Sequence, residues 1–194
     1  EECKNLKNEP ISELQAEDRW ILSKMQNMIG TVTESVEKMR LREGLHDILF
    51  SFESDLSWYQ KRVQAKGRED IAGILYKINS ARVAMLSPFA PHIAEEMWES
   101  LGNSNAVSKS AWPVYSKDDV DATAIQSENL LKGTMDDIAN ILKVTKIIPK
   151  KIVLYVNSDS MKSKVYRKVL GIMVGGQNNM GVVMKELIAD PETT

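Results

Sequence analysis

The chain has 194 residues, of which 43% are hydrophobic and 27% charged, with a formal net charge of −2; this fits a globular protein of one domain, or one domain with a small appendix. No apolar run approaches the roughly 18 residues of a membrane-spanning helix, and the start Glu1-Glu2-Cys3-Lys4 has no signal-peptide character. Cys3 is the only cysteine, which excludes an internal disulfide and a cysteine-based zinc site. These features predict a cytoplasmic protein without membrane contact, and a first residue other than Met predicts a piece of something longer.

Taken in chain order, residues 1–16 are mixed and polar, interrupted by Pro10, and form a lead-in. From Trp20 onward Ile21, Met25, Met28, Ile29, Val32, Val36 and Met39 keep helical period, which predicts a helix roughly 30 Å long. Leu45, Ile48, Leu49, Phe52, Leu56, Tyr59 and Val63 predict a second, broken at Gly67. Ile71, Ile74, Leu75, Ile78 and Met85 predict a third. Pro88 and Pro91 bias Ser87 and Ala90 away from helical dihedrals, so the third helix stops there. Pro91 can open a fourth helix, with Glu95 and Glu96 near the positive end of its dipole and Gly102 placed to end it. Amphipathic stripes joined by short loops predict an antiparallel helical bundle.

Residues 102–123 lack periodicity and read as a long connection, after which Leu131, Met135, Ile138 and Leu142 predict a fifth helix. Past Pro149 the character changes. Lys151-Ile152-Val153-Leu154-Tyr155-Val156 reads as a strand, Asn157–Ser160 as a polar turn, and Met161, Val165, Val169 and Ile172 as one face of a further helix. A loop at Gly175–Asn179 and a short helix ending near Asp190-Pro191 complete the chain. The predicted fold is therefore mainly α: an antiparallel bundle over residues 1–146 and a small α+β appendage over 147–194. A lone strand is unstable, so the appendage needs a second one, from the long connection or from beyond Thr194.

No catalytic constellation and no metal site emerge. His46 and His92 are the only histidines and neither pairs with a carboxylate at ligand spacing, so His92 reads as a capping or packing residue. Glu95 and Glu96, adjacent on a helix, point about 100° apart. Gly175-Gly176 lacks the following Lys-Ser/Thr of a phosphate loop. Charge is more informative. From Lys143 to Lys168 seven Lys and one Arg face a single acid, Asp159, so this window carries +7 and the remainder −9. Such asymmetry fits either an end that meets a polyanion or a solvated lysine-rich rim. Arg40, Arg42, Lys61, Arg62, Lys66, Arg68 and Arg82 lie mostly off the apolar stripes near helix ends, where they serve phosphate binding or surface solubility. Trp112 and Tyr115, in the long connection, are free either to fill the core or to stack on a base.

The segment Pro88-Phe89-Ala90-Pro91-His92-Ile93-Ala94-Glu95-Glu96-Met97-Trp98 resembles the Pro-Phe-x-Pro-His-x-x-Glu-Glu-x-Trp signature in the anticodon-binding helical domain of class I aminoacyl-tRNA synthetases for leucine, isoleucine and valine. Asp18-Arg19-Trp20-Ile21-Leu22-Ser23, Asp55-Leu56-Ser57-Trp58-Tyr59 and Trp112-Pro113 agree with the same family in order and spacing. Pro149–Val156, followed by a polar turn and a Lys-rich helix, is most similar to the archaeal and eukaryotic leucyl type. Met161 stands where that type tends to carry Trp, so the isoleucine and valine enzymes stay open.

The resemblance implies a non-catalytic tRNA-binding piece of a ligase that attaches leucine to its tRNA with ATP and Mg²⁺. Its partners would be tRNA, tRNA-Leu first, and the rest of the parent chain, with no cofactor in this piece. Met161-Lys162-Ser163-Lys164 is not the family's Lys-Met-Ser-Lys-Ser active-site loop, because the order differs and no His-Ile-Gly-His-like partner exists. The expected RNA-binding residues are Arg62, Lys66, Arg68, Lys146, Lys150, Lys151, Lys164 and Arg167. The rival reading is a helical protein-interaction module whose basic end is incidental.

Overall fold

The computed structural model describes residues 13–155, 165–169 and 181. The chain divides into two compact units, residues 1–144 and 145–194. In the first, helix α1 (Ala16–Glu37) starts where the Gln15 N–H donates to Asp18 Oδ2 at 2.9 Å, which satisfies one of the unpaired donors of a helix start. Its apolar stripe, Trp20, Ile21, Met25, Met28, Ile29 and Val32, is buried. Met39 departs from the expected stripe. It takes a left-handed conformation (φ 59°) that ends the helix, with the Arg40 N–H on Ser35 O at 2.8 Å, and it is 78% exposed.

The second predicted helix is a continuous helical run in three parts: α2 (Leu41–His46), a π turn (Asp47–Ser51) and α3 (Phe52–Ala65). In the π turn the Phe52 N–H bonds Asp47 O, five residues back. That extra residue shifts the register of everything before it. Ile48 faces the core, while Leu49 and Phe50 turn outward at 37% and 65% exposure. From α4 (Ala72–Leu86), Arg82 donates to Ile48 O from Nε (3.2 Å) and Nη2 (3.0 Å), tying the turn to its neighbour.

α1 packs against α2, α3 and α4, and Trp20, Val32, Phe52, Tyr59, Ile78 and Met85 meet in the core between them. α5 (Pro91–Ser100) lies on α4 through a smaller cluster of Val83, Ala94, Leu101 and Val107. Glu95 and Glu96 fall beyond the first turn of α5, so the expected dipole role gives way to an anchoring one for Glu95. Its carboxylate accepts the Val107 N–H at 2.8 Å and the Ser108 N–H at 3.4 Å, fastening the following loop to α5. His92 is exposed, against the packing reading of it, and Ile93 is 58% exposed. Gly102 (φ 85°) supplies the left-handed residue after α5.

The long connection is anchored along α1. Trp112 Nε1 donates to Thr33 Oγ1 at 2.9 Å, the Ser116 N–H to Gln26 Oε1 at 3.0 Å and the Asp121 N–H to Ser23 Oγ at 2.8 Å. Tyr115 lies against Gly30, where an added Cβ would stand 3.3 Å from the ring. Of the two readings left open for these aromatics, Trp112 packs against the core, while Tyr115, seated on α1, remains 44% exposed. The unit ends in α6 (Ala122–Thr145).

In the second unit, residues 146–155 are irregular and exposed save Pro149, and 165–169 are helical. The expected strand does not form over Lys151–Tyr155, and no strand exists among the described residues, because nothing there supplies the ladder that a strand requires. Val156, the turn at Asn157–Ser160, the loop at Gly175–Asn179 and the terminal helix fall outside the described residues. No described helix is long and apolar enough to cross a membrane.

Candidate nucleic-acid interface

Three of the expected RNA-binding cations lie at the end of α3 or just past it, and each meets a carboxylate of this chain. Gly67 (φ 63°) ends α3 and lets the chain double back toward the start of α1. Lys66 Nζ then stands 2.9 and 2.8 Å from the two oxygens of Glu17. Arg68 forks across the same place: Nη1 donates to Glu17 Oε1 (2.9 Å) and Asp18 Oδ1 (3.1 Å), Nη2 to Asp18 Oδ2 (2.9 Å) and Nε to Asp70 Oδ1 (2.9 Å). Tyr59 Oη donates to Asp18 Oδ1 at 2.7 Å. Glu17 and Asp18 are sealed from water, and the Arg68 side chain is 10% exposed.

The electrostatics follow from burial with compensation. Desolvation pushes the Glu17 carboxyl up, but hydrogen bonds from Lys66, its own backbone N–H and Arg68 outweigh it and hold the pKa below the ordinary value. Burial, and then the bond to Asp18, raises the Tyr59 phenol. Hydrogen bonds to Asp18 and Asp70 raise Arg68 further above its already high value. This cluster holds two helices together. Its cations are committed to buried anions, and a phosphate could recruit Arg68 only by stranding Glu17 and Asp18.

Arg62 belongs to a second such joint. Its Nε lies 3.0 Å from Glu128 Oε1 on α6, which also accepts Trp58 Nε1 at 2.6 Å, and Glu128 is 5% exposed. One turn on, Lys132 reaches Asp55 at 3.1 Å, with its ammonium 4.5 Å from the Trp20 ring centroid and 5.3 Å from that of Trp58. Sequence reading missed Glu17, Asp18, Glu128 and Asp55 as partners because their contacts with these cations span about 50 to 80 residues of chain. The available signal was the pair Glu17-Asp18 in the first turn of α1, directly before its apolar stripe.

The remaining expected residues follow α6 in the chain. Lys146 (φ 54°), Lys150 and Lys151 are exposed, Arg167 is exposed within the helical stretch 165–169, and Lys164 lies outside the described residues. Over residues 13–144, fifteen Lys and Arg face twenty Asp and Glu. Nine of those cations, including Arg19, Lys24, Arg40 and Arg82 beside the ones above, form ion pairs. Arg42 and Lys61 are exposed without an ion pair among the described residues. The helical unit is therefore an acidic, internally neutralised body, and the cation-rich stretch begins where it ends.

The family model described as the anticodon-binding domain of tRNA ligase matches residues 18–154. Leucine–tRNA ligase of Methanosarcina mazei is 35% identical over 93% of the chain, that of Methanococcoides burtonii 34% over 94%, and that of Pyrococcus abyssi 31% over 93%. In each case the chain spans 18% of the relative's length. Since the family match runs from the buried Asp18 to beyond the end of α6, the chain belongs to the anticodon-binding domain family of tRNA ligases.

Proposed function

We propose that this chain is the tRNA-docking, non-catalytic part of a leucine–tRNA ligase. The observation that carries the reading is the family match over residues 18–154, and the leucine–tRNA ligases at 31 to 35% identity favour leucine over isoleucine and valine. In this reading residues 1–146 form an antiparallel bundle and 147–194 begin an α+β appendage whose second strand comes from further chain. The parent works in the cytoplasm, joining leucine to tRNA-Leu with ATP and Mg²⁺. Both belong to its nucleotide-binding part. No three His, Cys, Asp or Glu side chains converge to hold a metal among the described residues, and no role for either is assigned to them.

The bundle acts as a stiff support, and phosphate contacts come from Lys146, Lys150, Lys151, Lys164 and Arg167, while Arg62, Lys66 and Arg68 stay in their ion pairs. Support comes from the +7 carried by Lys143–Lys168 and from the pairing of the helical unit's cations. Phosphate contacts make affinity fall with salt, with a slope of about 0.9 per neutralised phosphate. Titration with tRNA-Leu between about 50 and 300 mM salt therefore gives a steep decline, and Lys150→Glu with Lys151→Glu lowers the slope by about 2. A flat response, or equal binding to heparin, overturns the docking role in favour of a protein-interaction module.

A further inference from the structure

Between α3 and α4, against the π turn, lies a cavity of about 190 Å³. Two facing stripes form most of its wall, Glu53, Leu56 and Gln60 on α3 and Leu75, Asn79 and Arg82 on α4, each spaced by three or four residues as one helix face requires. The π turn supplies another side. The extra residue that turns Leu49 out of the core leaves it 37% exposed on the cavity wall, and π turns of this kind recur at functional sites. Two features give the space its chemistry. The Gln60 and Asn79 carboxamides are half-buried, and neither makes a hydrogen bond among the described residues, so each offers a donor and an acceptor to an occupant. The charged side chains of the wall, Glu53 and Arg82, pair with each other at 3.1 Å, and Arg82 also donates twice to Ile48 O. The wall is thus neutral as a whole. An apolar cavity of about 150 Å³ holds benzene, so this one admits a single ring with a short substituent. Leucine side chains suit the ring. A substituent that both donates and accepts suits the carboxamides, and an amide does so where a hydrocarbon or a carboxylate does not.

We propose that this cavity binds a small neutral molecule with one apolar ring and an amide or lactam edge, the ring against Leu56 and Leu75 and the edge on Gln60 and Asn79. The site is independent of the tRNA-docking reading, since none of the residues assigned to phosphate contact lines it.

Benzamide is the probe, with benzoate and toluene as its charged and purely apolar counterparts. In a proton–nitrogen NMR titration of the 194-residue chain, benzamide should shift the side-chain amide signals of Gln60 and Asn79. Saturation is expected with a Kd on the order of 1 mM, in keeping with a ligand of about nine non-hydrogen atoms. Benzoate should bind roughly tenfold more weakly or worse, because its charge gives up water without gaining a free cation. Gln60→Met with Asn79→Leu keeps the outline of both side chains and removes their hydrogen-bonding groups. That pair should weaken benzamide roughly tenfold, the worth of about one hydrogen bond, and leave toluene binding intact. Should the double variant misfold, the unaltered chain still decides, since benzamide and not benzoate should raise its melting temperature. Shifts scattered over the surface without saturation overturn the proposal. So does binding of benzoate or toluene as tight as that of benzamide, or an unchanged benzamide affinity in a folded double variant.

Discussion

The Arg68 guanidinium bonds three carboxylates, and two of them, Glu17 and Asp18, have no access to water. Removing one partner of such a group leaves the other charges buried and uncompensated, which costs more than the pair itself contributes. Arg68→Ala should lower stability by roughly 3 kcal/mol, a fall in melting temperature on the order of 10 °C at this chain length. Arg68→Lys should lie between, because a point charge cannot bridge two carboxylates as a planar fork does. An RNA-contacting arginine behaves in the opposite way: its loss leaves the melting temperature alone and weakens binding. Glu17 adds a pH dependence. Its folded-state pKa lies below the ordinary 4.5, so its contribution is complete above that pH and disappears as pH falls through the lowered value. Glu17→Gln should flatten the acid limb of a melting-temperature profile. An unchanged limb would remove Glu17 from the account.

Among the elements, α5 and the loop it holds illustrate how local signals and long contacts divide. The helix start at Pro91 and its end at Gly102 were legible, since proline and glycine act within one turn. The reach of Glu95 to the Val107 and Ser108 amides was not, because it depends on where a loop returns twelve residues later. Glu95→Ala should speed exchange of the Val107 amide about tenfold, the loss expected for one hydrogen bond to a charged group of about 1.5 kcal/mol. Glu95→Gln, which keeps an acceptor, should restore most of the protection. Similarly, the periodic residues of the second helix located it correctly, yet the π turn at Asp47–Ser51 escaped, and with it the exposure of Leu49, which the stripe placed inward. A one-residue insertion leaves the composition of a stripe intact and alters only its phase. The cations near helix ends were visible as surface residues. Their acidic partners were not, because Glu17 and Glu128 read as ordinary polar positions until the fold buries them.

For the whole molecule, the partition of charge matters more than its sum. A net charge of −2 conceals an acidic helical unit followed by a run of lysines. In the proposed docking role the acidic bundle would repel a polyanion while the basic stretch attracts it, which would orient the first encounter before any contact forms. Ionic strength should therefore affect the association rate of the 194-residue chain more than its dissociation rate. Stopped-flow measurements at two salt concentrations would separate the two, and a salt effect confined to dissociation would contradict the steering.

The position of Lys132 has an optical consequence. A fixed cation over two indole rings, one of them buried with its N–H free of any hydrogen-bond partner, alters the energy of their excited states. The native fluorescence of Trp20 and Trp58 should thus register whether the first half of α6 is seated, once Trp98 and Trp112 are replaced by Phe.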